Sequence, residues 1–125
     1  MKDKLEPNMY VRTKCGYICK IININDFREP SMKYGVEASY LKDIMFIGDD
    51  DILKASHNII DLIEVGDYVN GNKVIEIEKN YKFIDGTIRD ILWTDTKMQK
   101  AIWDETIKSI VTHEQMEQMA YKVGE

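Results

Sequence analysis

The chain is short of the residue types that most often announce a chemistry. It has two cysteines, two histidines and three arginines in 125 residues. Cys15 and Cys19 are the whole cysteine complement, and a reducing compartment leaves them as thiols. No apolar run approaches the ~20 residues that a membrane-spanning helix requires. The opening MKDKLEPN is charged and lacks an apolar core, so it does not read as a signal peptide. The expectation is a cytoplasmic protein with no membrane contact. P-loop, Gly-rich dinucleotide loop, nucleophile elbow and H-E-x-x-H patterns are all missing, and His113-Glu114 has no second histidine four residues on. No enzymatic activity is expected.

A basic surplus is also missing. Net charge is -5 with a pI of about 5.1. Dedicated nucleic-acid binders usually present a basic face, so direct DNA binding is not expected. An acidic surface instead suits a basic partner, including a protein whose ordinary ligand is nucleic acid. What the chain has in abundance is lysine, isoleucine and asparagine: 14 Lys, 18 Ile and 7 Asn. Their codons are AT-rich, which points to a low-GC bacterium or one of its phages.

The length allows one domain with one modest core. Residues 1–8 read as a polar lead-in, and 9–125 as a single β-rich domain. In 8–14, Met9, Val11 and Thr13 alternate with Tyr10, Arg12 and Lys14, and Cys15-Gly16 turns the chain into a second β-rich run, 17–24. A β-hairpin follows from that pattern. The stretch 25–40 carries Pro30 and Gly35 without a clear period, and reads as an excursion with a short strand near 33–38. Strands are predicted at 44–47 and 52–57, separated by Gly48 and Asp49-Asp50-Asp51.

The best-patterned segment is 59–77, IIDLIEVGDYVNGNKVIEI. It reads as a strand end, a Gly66-Asp67 corner, an Asn70-Gly71 tight turn and a further strand. Asn and Gly adopt positive φ at little cost, which makes the turn signal strong. Asp85-Gly86 marks a second hairpin between 81–84 and 87–93. The stretch 94–105 fits neither helix nor strand clearly. A strand is predicted at 107–111, and Thr112-His113-Glu114-Gln115 fits a capping box opening a short helix over 113–119. A final strand is predicted at 120–123. Turn signals every 8–12 residues give a mainly β, β-rich α+β fold: a small antiparallel β-barrel or β-roll with one short C-terminal helix.

Candidate chemistry is sparse. Cys15, Cys19, His57 and His113 together would make four zinc ligands. The C-x3-C spacing is not that of a zinc knuckle and the histidines stand 56 residues apart, so no metal and no cofactor are expected. Asp49, Asp50 and Asp51 form the sharpest charge feature. The plain reading is a solvated loop tip, and the functional one is an acidic prong that meets a Lys/Arg cluster on a partner. Tyr34, Tyr40, Trp93 and Trp103 supply aromatic surface, from which an interface anchor or a stacking platform can be drawn. The scarce arginines Arg12, Arg28 and Arg89 are the candidate clamps for a phosphate or carboxylate, Arg28 and Arg89 above all for a nucleotide, and the plain reading of each is a surface charge.

Three blocks, MYVRTKCGYICKI at 9–21, IIDLIEVGDYVNGNKVIEI at 59–77 and IKSIVTHEQMEQMAYKV at 107–123, resemble small proteins encoded by phages and prophages of low-GC Gram-positive bacteria. They cover about 50 of the 125 residues and carry no active-site motif. The resemblance implies a phage accessory protein of the anti-defence, anti-CRISPR-like kind. Such a protein binds and blocks a bacterial immune component, above all a CRISPR effector, by non-enzymatic occlusion. The alternatives are a sponge for a cyclic nucleotide or ADP-ribose-type signal, which needs a small nucleotide ligand, and a prophage β-barrel interaction module without a defence role. A homodimer is compatible with each.

Overall fold

The computed structural model describes residues 4–25, 29–38, 42–96 and 101–119, and the chain falls into two compact units, Met1–Leu62 and Ile63–Glu125. The sequence reads as one domain because its strand spacing is even throughout. Even spacing does not mark where one sheet ends and another begins. Each unit is built on its own antiparallel sheet. The protein is mainly β with one short C-terminal helix, as its turn signals imply, and neither sheet closes into a barrel among the described residues.

In the first unit, β1 (Tyr10–Thr13) and β2 (Ile18–Ile24) form the expected hairpin. The Gly16 N–H donates to the Thr13 carbonyl at 2.9 Å, and the Thr13 N–H to that of Tyr17 at 2.9 Å. β3 (Tyr34–Glu37), β4 (Met45–Ile47) and β5 (Ile52–Ser56) complete a sheet of order β4-β3-β2-β1-β5. Only four residues join β4 to β5, although the two strands lie at opposite edges. In a flat sheet those edges would be ~19 Å apart. Five extended residues reach ~18 Å, and part of this link is a 3-10 turn that rises only ~2 Å per residue. The sheet must therefore coil until its edges approach. Val11, Ile21 and Val36, from the three central strands, are fully buried and make the middle of the core. Leu5 is buried in the same cluster, so the polar lead-in contributes a core residue.

β1 is paired on both sides, and Val11, Arg12 and Thr13 are all buried. The Arg12 guanidinium is wholly inside, where its Nη1 donates to the Leu62 carbonyl at 2.9 Å. Arg12 is thus a structural side chain and not the surface charge its neighbours in sequence suggest. Leu62 ends a 3-10 turn, Ile59–Leu62, at the position where the sequence predicts a strand end. A short apolar run cannot be told from a buried helical turn by periodicity alone. The Asn58 carbonyl accepting from Asp61 N at 3.0 Å, with Ser56 Oγ donating to Asp61 at 2.6 Å, decides for the turn.

The second unit has the order β8-β7-β6-β9, with β6 (Tyr68–Val69), β7 (Asn72–Lys82), β8 (Ile88–Thr94) and β9 (Ile110–Val111). Asn70 and Gly71 have φ of 53° and 84°, the left-handed pair of a two-residue hairpin turn. Asn70 also does work at a distance. Its Nδ2 donates to the Thr106 carbonyl at 2.9 Å, and its Oδ1 accepts from Lys108 N at 2.7 Å and Ser109 N at 3.2 Å. The turn therefore positions β9. Helix α1 (His113–Met119) opens on the expected capping box: Gln115 N donates to Thr112 Oγ1 at 3.2 Å, and Thr112 N to Gln115 Oε1 at 3.0 Å. The strand predicted at 120–123 lies outside the described residues.

Asp67 connects these pieces. It is fully buried. One carboxylate oxygen accepts from Glu64 N at 2.8 Å and the other from His113 N at 2.9 Å, while its own carbonyl accepts from Val74 N at 2.8 Å. The corner before β6, the start of β7 and the first residue of α1 meet on this one residue.

Three substitutions test these side-chain bonds and the turn conformation. Asn70→Gly preserves the turn conformation yet removes three hydrogen bonds, and should cost about 2 kcal/mol or more at roughly 1 kcal/mol each. Gly71→Ala, which meets only the left-handed φ, should cost about 1–2 kcal/mol. Chemical denaturation measures both, and an Asn70→Gly cost under ~0.5 kcal/mol would show that the turn does not hold β9. Asp67→Asn keeps shape but turns one acceptor into a donor that faces an N–H. A loss of about 3 kcal/mol is expected, since charge-assisted bonds contribute ~1.5–3 kcal/mol and the buried N–H is left unmatched.

Candidate functional site

The acidic turn is the first place to look. Asp49–Asp51 is a 3-10 turn in the link from β4 to β5, and all three residues are exposed. Two of the three side chains serve the turn itself. Asp51 Oδ2 accepts from Gly48 N at 3.0 Å, and Asp49 Oδ1 accepts from the Tyr34 hydroxyl at 2.7 Å. The ring of Tyr34 is buried in the core of the first unit. Tyr34 and Asp49, both read from sequence as partner-binding residues, therefore hold each other and anchor the edge-to-edge link. Tyr40 and Arg28 lie outside the described residues.

The second unit brings together residues that are far apart in the chain. β7 and β8 make a long hairpin whose turn runs through Asp85 and Gly86, with Phe83 N donating to the Thr87 carbonyl at 2.8 Å. Two irregularities in β7 decide which side chains share a face. Glu78 pairs with Ile91 and Tyr81 with Arg89, two residues apart on β8 but three apart on β7. Residues three apart on a regular strand point to opposite faces. A bulge at 79–80, with Asn80 at φ 56°, restores Tyr81 to the face of Glu78. Asp90 holds the bulge: its Oδ1 accepts from Asn80 N at 2.9 Å, and Lys79 Nζ lies 3.4 Å from its Oδ2. The second irregularity, between Val74 and Glu76, puts Glu76 opposite Trp93 on the same face.

The result is a row of half-buried aromatic rings. Tyr81 stands edge-on to Phe83 at 5.1 Å and to Trp93 at 6.3 Å, and Phe83 edge-on to Trp103 at 5.6 Å. Trp103 arrives from outside the hairpin. Leu92 and Ile102 exchange two backbone hydrogen bonds, of 2.8 and 3.0 Å, which lay the segment around Ile102 along the edge of β8. The Arg89 guanidinium lies over both Trp103, at 5.2 Å, and Phe83, at 5.9 Å. Glu105 closes the arrangement, 3.2 Å from Arg89 Nη1 and 3.3 Å from Trp103 Nε1, while Trp93 Nε1 donates to Glu78 at 3.1 Å. Ile84 at the hairpin tip and Ile88 beside it are exposed.

Trp93, Trp103 and Arg89, chosen from sequence, thus come together on one face. Phe83, Glu78 and Glu105 complete it and carry no sequence signal of their own. Counting outward from the Asp85-Gly86 turn would pair Tyr81 with Arg89, but the bulge hides Glu78 from such counting. The chemistry of the face is specific in one respect. Arg89 is already paired with a carboxylate, and both indole N–H groups are spent on carboxylates. Among the described residues the face offers rings and acids, and its cation, Arg89, has a carboxylate beside it. A scan of protein-family models, a search of curated proteins and a search of solved structures each return no match for this chain.

At the hairpin tip, Thr87 donates to Asp85 Oδ1 through its hydroxyl at 2.7 Å and its backbone N–H at 3.0 Å. These bonds, the hydroxyl first, hold the Asp85 carboxyl below its ordinary value of 3.8, and Arg89 adds to the effect through its charge. A carboxylate with a lowered native pKa favours the folded hairpin above pH 3.8 and loses that contribution as pH falls through the native value. In an NMR titration, Thr87→Val should move the Asp85 midpoint up towards 3.8. An unmoved midpoint would exclude the hydroxyl as the main cause.

Proposed function

We propose that this chain is a non-enzymatic binding protein whose aromatic β7–β8 face docks on a basic protein surface. We further propose that the partner is a bacterial immune component, above all a CRISPR effector whose nucleic-acid channel the chain would occlude. The observation that carries the docking reading is the cluster of Tyr81, Phe83, Trp93 and Trp103 with Arg89 stacked on it. Trp, Tyr and Arg are the residues most enriched among those that dominate interface energies. Charge supports a basic partner: the second unit holds 12 acidic against 8 basic residues, and Glu78 and Glu105 sit within the face. The phage resemblance of 9–21, 59–77 and 107–123 supports the immune target. The nucleotide-sponge reading is weaker here, because Glu105 compensates its clamp Arg89.

The test is affinity capture from a low-GC Gram-positive host carrying defence systems, followed by measured affinity for the captured protein. Trp103→Ala and Arg89→Ala should each weaken binding by about 2 kcal/mol, roughly 30-fold, with the circular dichroism spectrum retained. Replacing Asp49, Asp50 and Asp51 together by Ser should leave affinity within threefold. The opposite pattern would move the interface to the acidic turn. Specific capture of no host protein, with a thermal shift on cyclic nucleotides, would replace this reading by the sponge.

A further inference from the structure

We infer that Glu64, His113 and Glu114 form a binding site for a divalent transition-metal ion of the zinc type. This goes beyond the docking reading and does not rest on it. His113 Nε2 lies 2.9 Å from Glu64 Oε1, and its other ring nitrogen, Nδ1, lies 3.5 Å from Glu114 Oε1, so a single ion takes one of the two nitrogens. One donor atom from each residue lies within 4.8 Å of the other two. Ligands bound tetrahedrally at ~2.0–2.1 Å stand ~3.4 Å apart, a separation between the 2.9 Å of the imidazole–Glu64 pair and the 4.8 Å that encloses all three donors.

The donor set selects the ion. Two carboxylates and a neutral imidazole carry two negative charges, which a dication cancels. An imidazole nitrogen suits Zn2+, Ni2+ or Cu2+ and has no place in the all-oxygen shells of Ca2+ and Mg2+, while the two carboxylates also accept Mn2+. The scaffold is built independently of these three side chains. The buried Asp67 accepts the backbone N–H groups of both Glu64 and His113, so a single carboxylate fixes the two chain segments that present the ligands. Outer groups that orient ligands in this way are a regular part of metal sites. All three side chains are partly exposed, with His113 the most open, so an ion reaches them directly from solvent. Three protein ligands leave at least one position for water.

The sequence hides the site because its spacing is not that of a finger or a helical H-E-x-x-H pair. Glu64 and His113 are 49 residues apart and meet only through the Asp67 corner. Cys15 and Cys19 are not among the three residues of the cluster.

The full chain, stripped of metal with a chelator, should bind Zn2+ with 1:1 stoichiometry by calorimetry, and excess Mg2+ should not compete. His113→Ala should weaken binding at least 100-fold, and Glu64→Gln and Glu114→Gln about tenfold or more each. His57→Ala and the Cys15→Ala/Cys19→Ala double variant should bind as the wild type does. Absence of Zn2+ binding, or binding that survives His113→Ala, would overturn the assignment. Should His113→Ala not fold, Mn2+ added to the wild-type chain decides. Paramagnetic broadening centred on the amides of 64, 113 and 114 supports the site, and broadening centred elsewhere overturns it.

Discussion

The second unit depends on the buried carboxylate of Asp67. An ionised group out of water is costly unless hydrogen bonds replace its hydration. Here the replacement is backbone: the N–H of Glu64, four residues before β6, and the N–H of His113, at the first turn of α1. Those two amides belong to segments 49 residues apart. The carboxylate therefore converts a local corner into a long-range constraint, because neither segment can leave without stranding a charge. Gly66, at φ 101°, makes the corner possible and lies close under His113, where a side chain would meet its Cβ at 3.7 Å. The first unit uses the opposite charge in the same way. Arg12 is wholly buried and reaches the Leu62 carbonyl from the middle strand of the sheet. In both units a charged side chain holds irregular backbone that no sheet ladder can hold.

This explains which parts of the fold are legible in the sequence. Turn chemistry is local, so the Cys15-Gly16, Asn70-Gly71 and Asp85-Gly86 turns mark three real hairpins. The capping box of Thr112 and Gln115 places α1 at the residues where it is found. What the residues do beyond their own turn is not local. Asn70 reads as a turn former, and it is one, but its side chain also binds backbone 36 to 39 residues away. Arg12 reads as the polar half of an alternating strand, yet its side chain is buried and bonded to the Leu62 carbonyl at the end of the 3-10 turn. The two-unit division is illegible for a similar reason. It depends on which strands pair, and a run of evenly spaced short strands is consistent with several pairings.

The candidate site was half legible. Composition pointed to Trp93, Trp103 and Arg89 as aromatic and cationic resources, and the structure gathers all three. Strand bulges decide the rest, and bulges have no reliable signature beyond an asparagine or glycine in an awkward place. Asn80 is such a residue, and its left-handed φ is what returns Tyr81 to the face of Glu78 and Arg89. In a regular ladder counted from the turn, Tyr81 would still share the face of Arg89 and Trp93, while Glu78 would point to the other side of the hairpin, away from the Trp93 indole whose N–H it accepts.

The same geometry changes the meaning of the charges. From sequence, a scarce arginine near aromatics suggests anion binding, and three consecutive aspartates suggest a docking prong. In the structure the arginine and two of the three aspartates are first used internally. Glu105 compensates Arg89, and Asp49 and Asp51 bind Tyr34 and Gly48. An exposed ion pair contributes only ~0–1 kcal/mol, so the Arg89–Glu105 contact does little for stability. Its larger effect is orientation. It holds the guanidinium over Phe83 and Trp103, at low entropic cost to any later encounter. On the proposed docking reading, that prearrangement, with Arg89 already compensated, suits a protein surface that brings its own cations better than a phosphate ligand, and the acidic surplus of the second unit acts in the same direction.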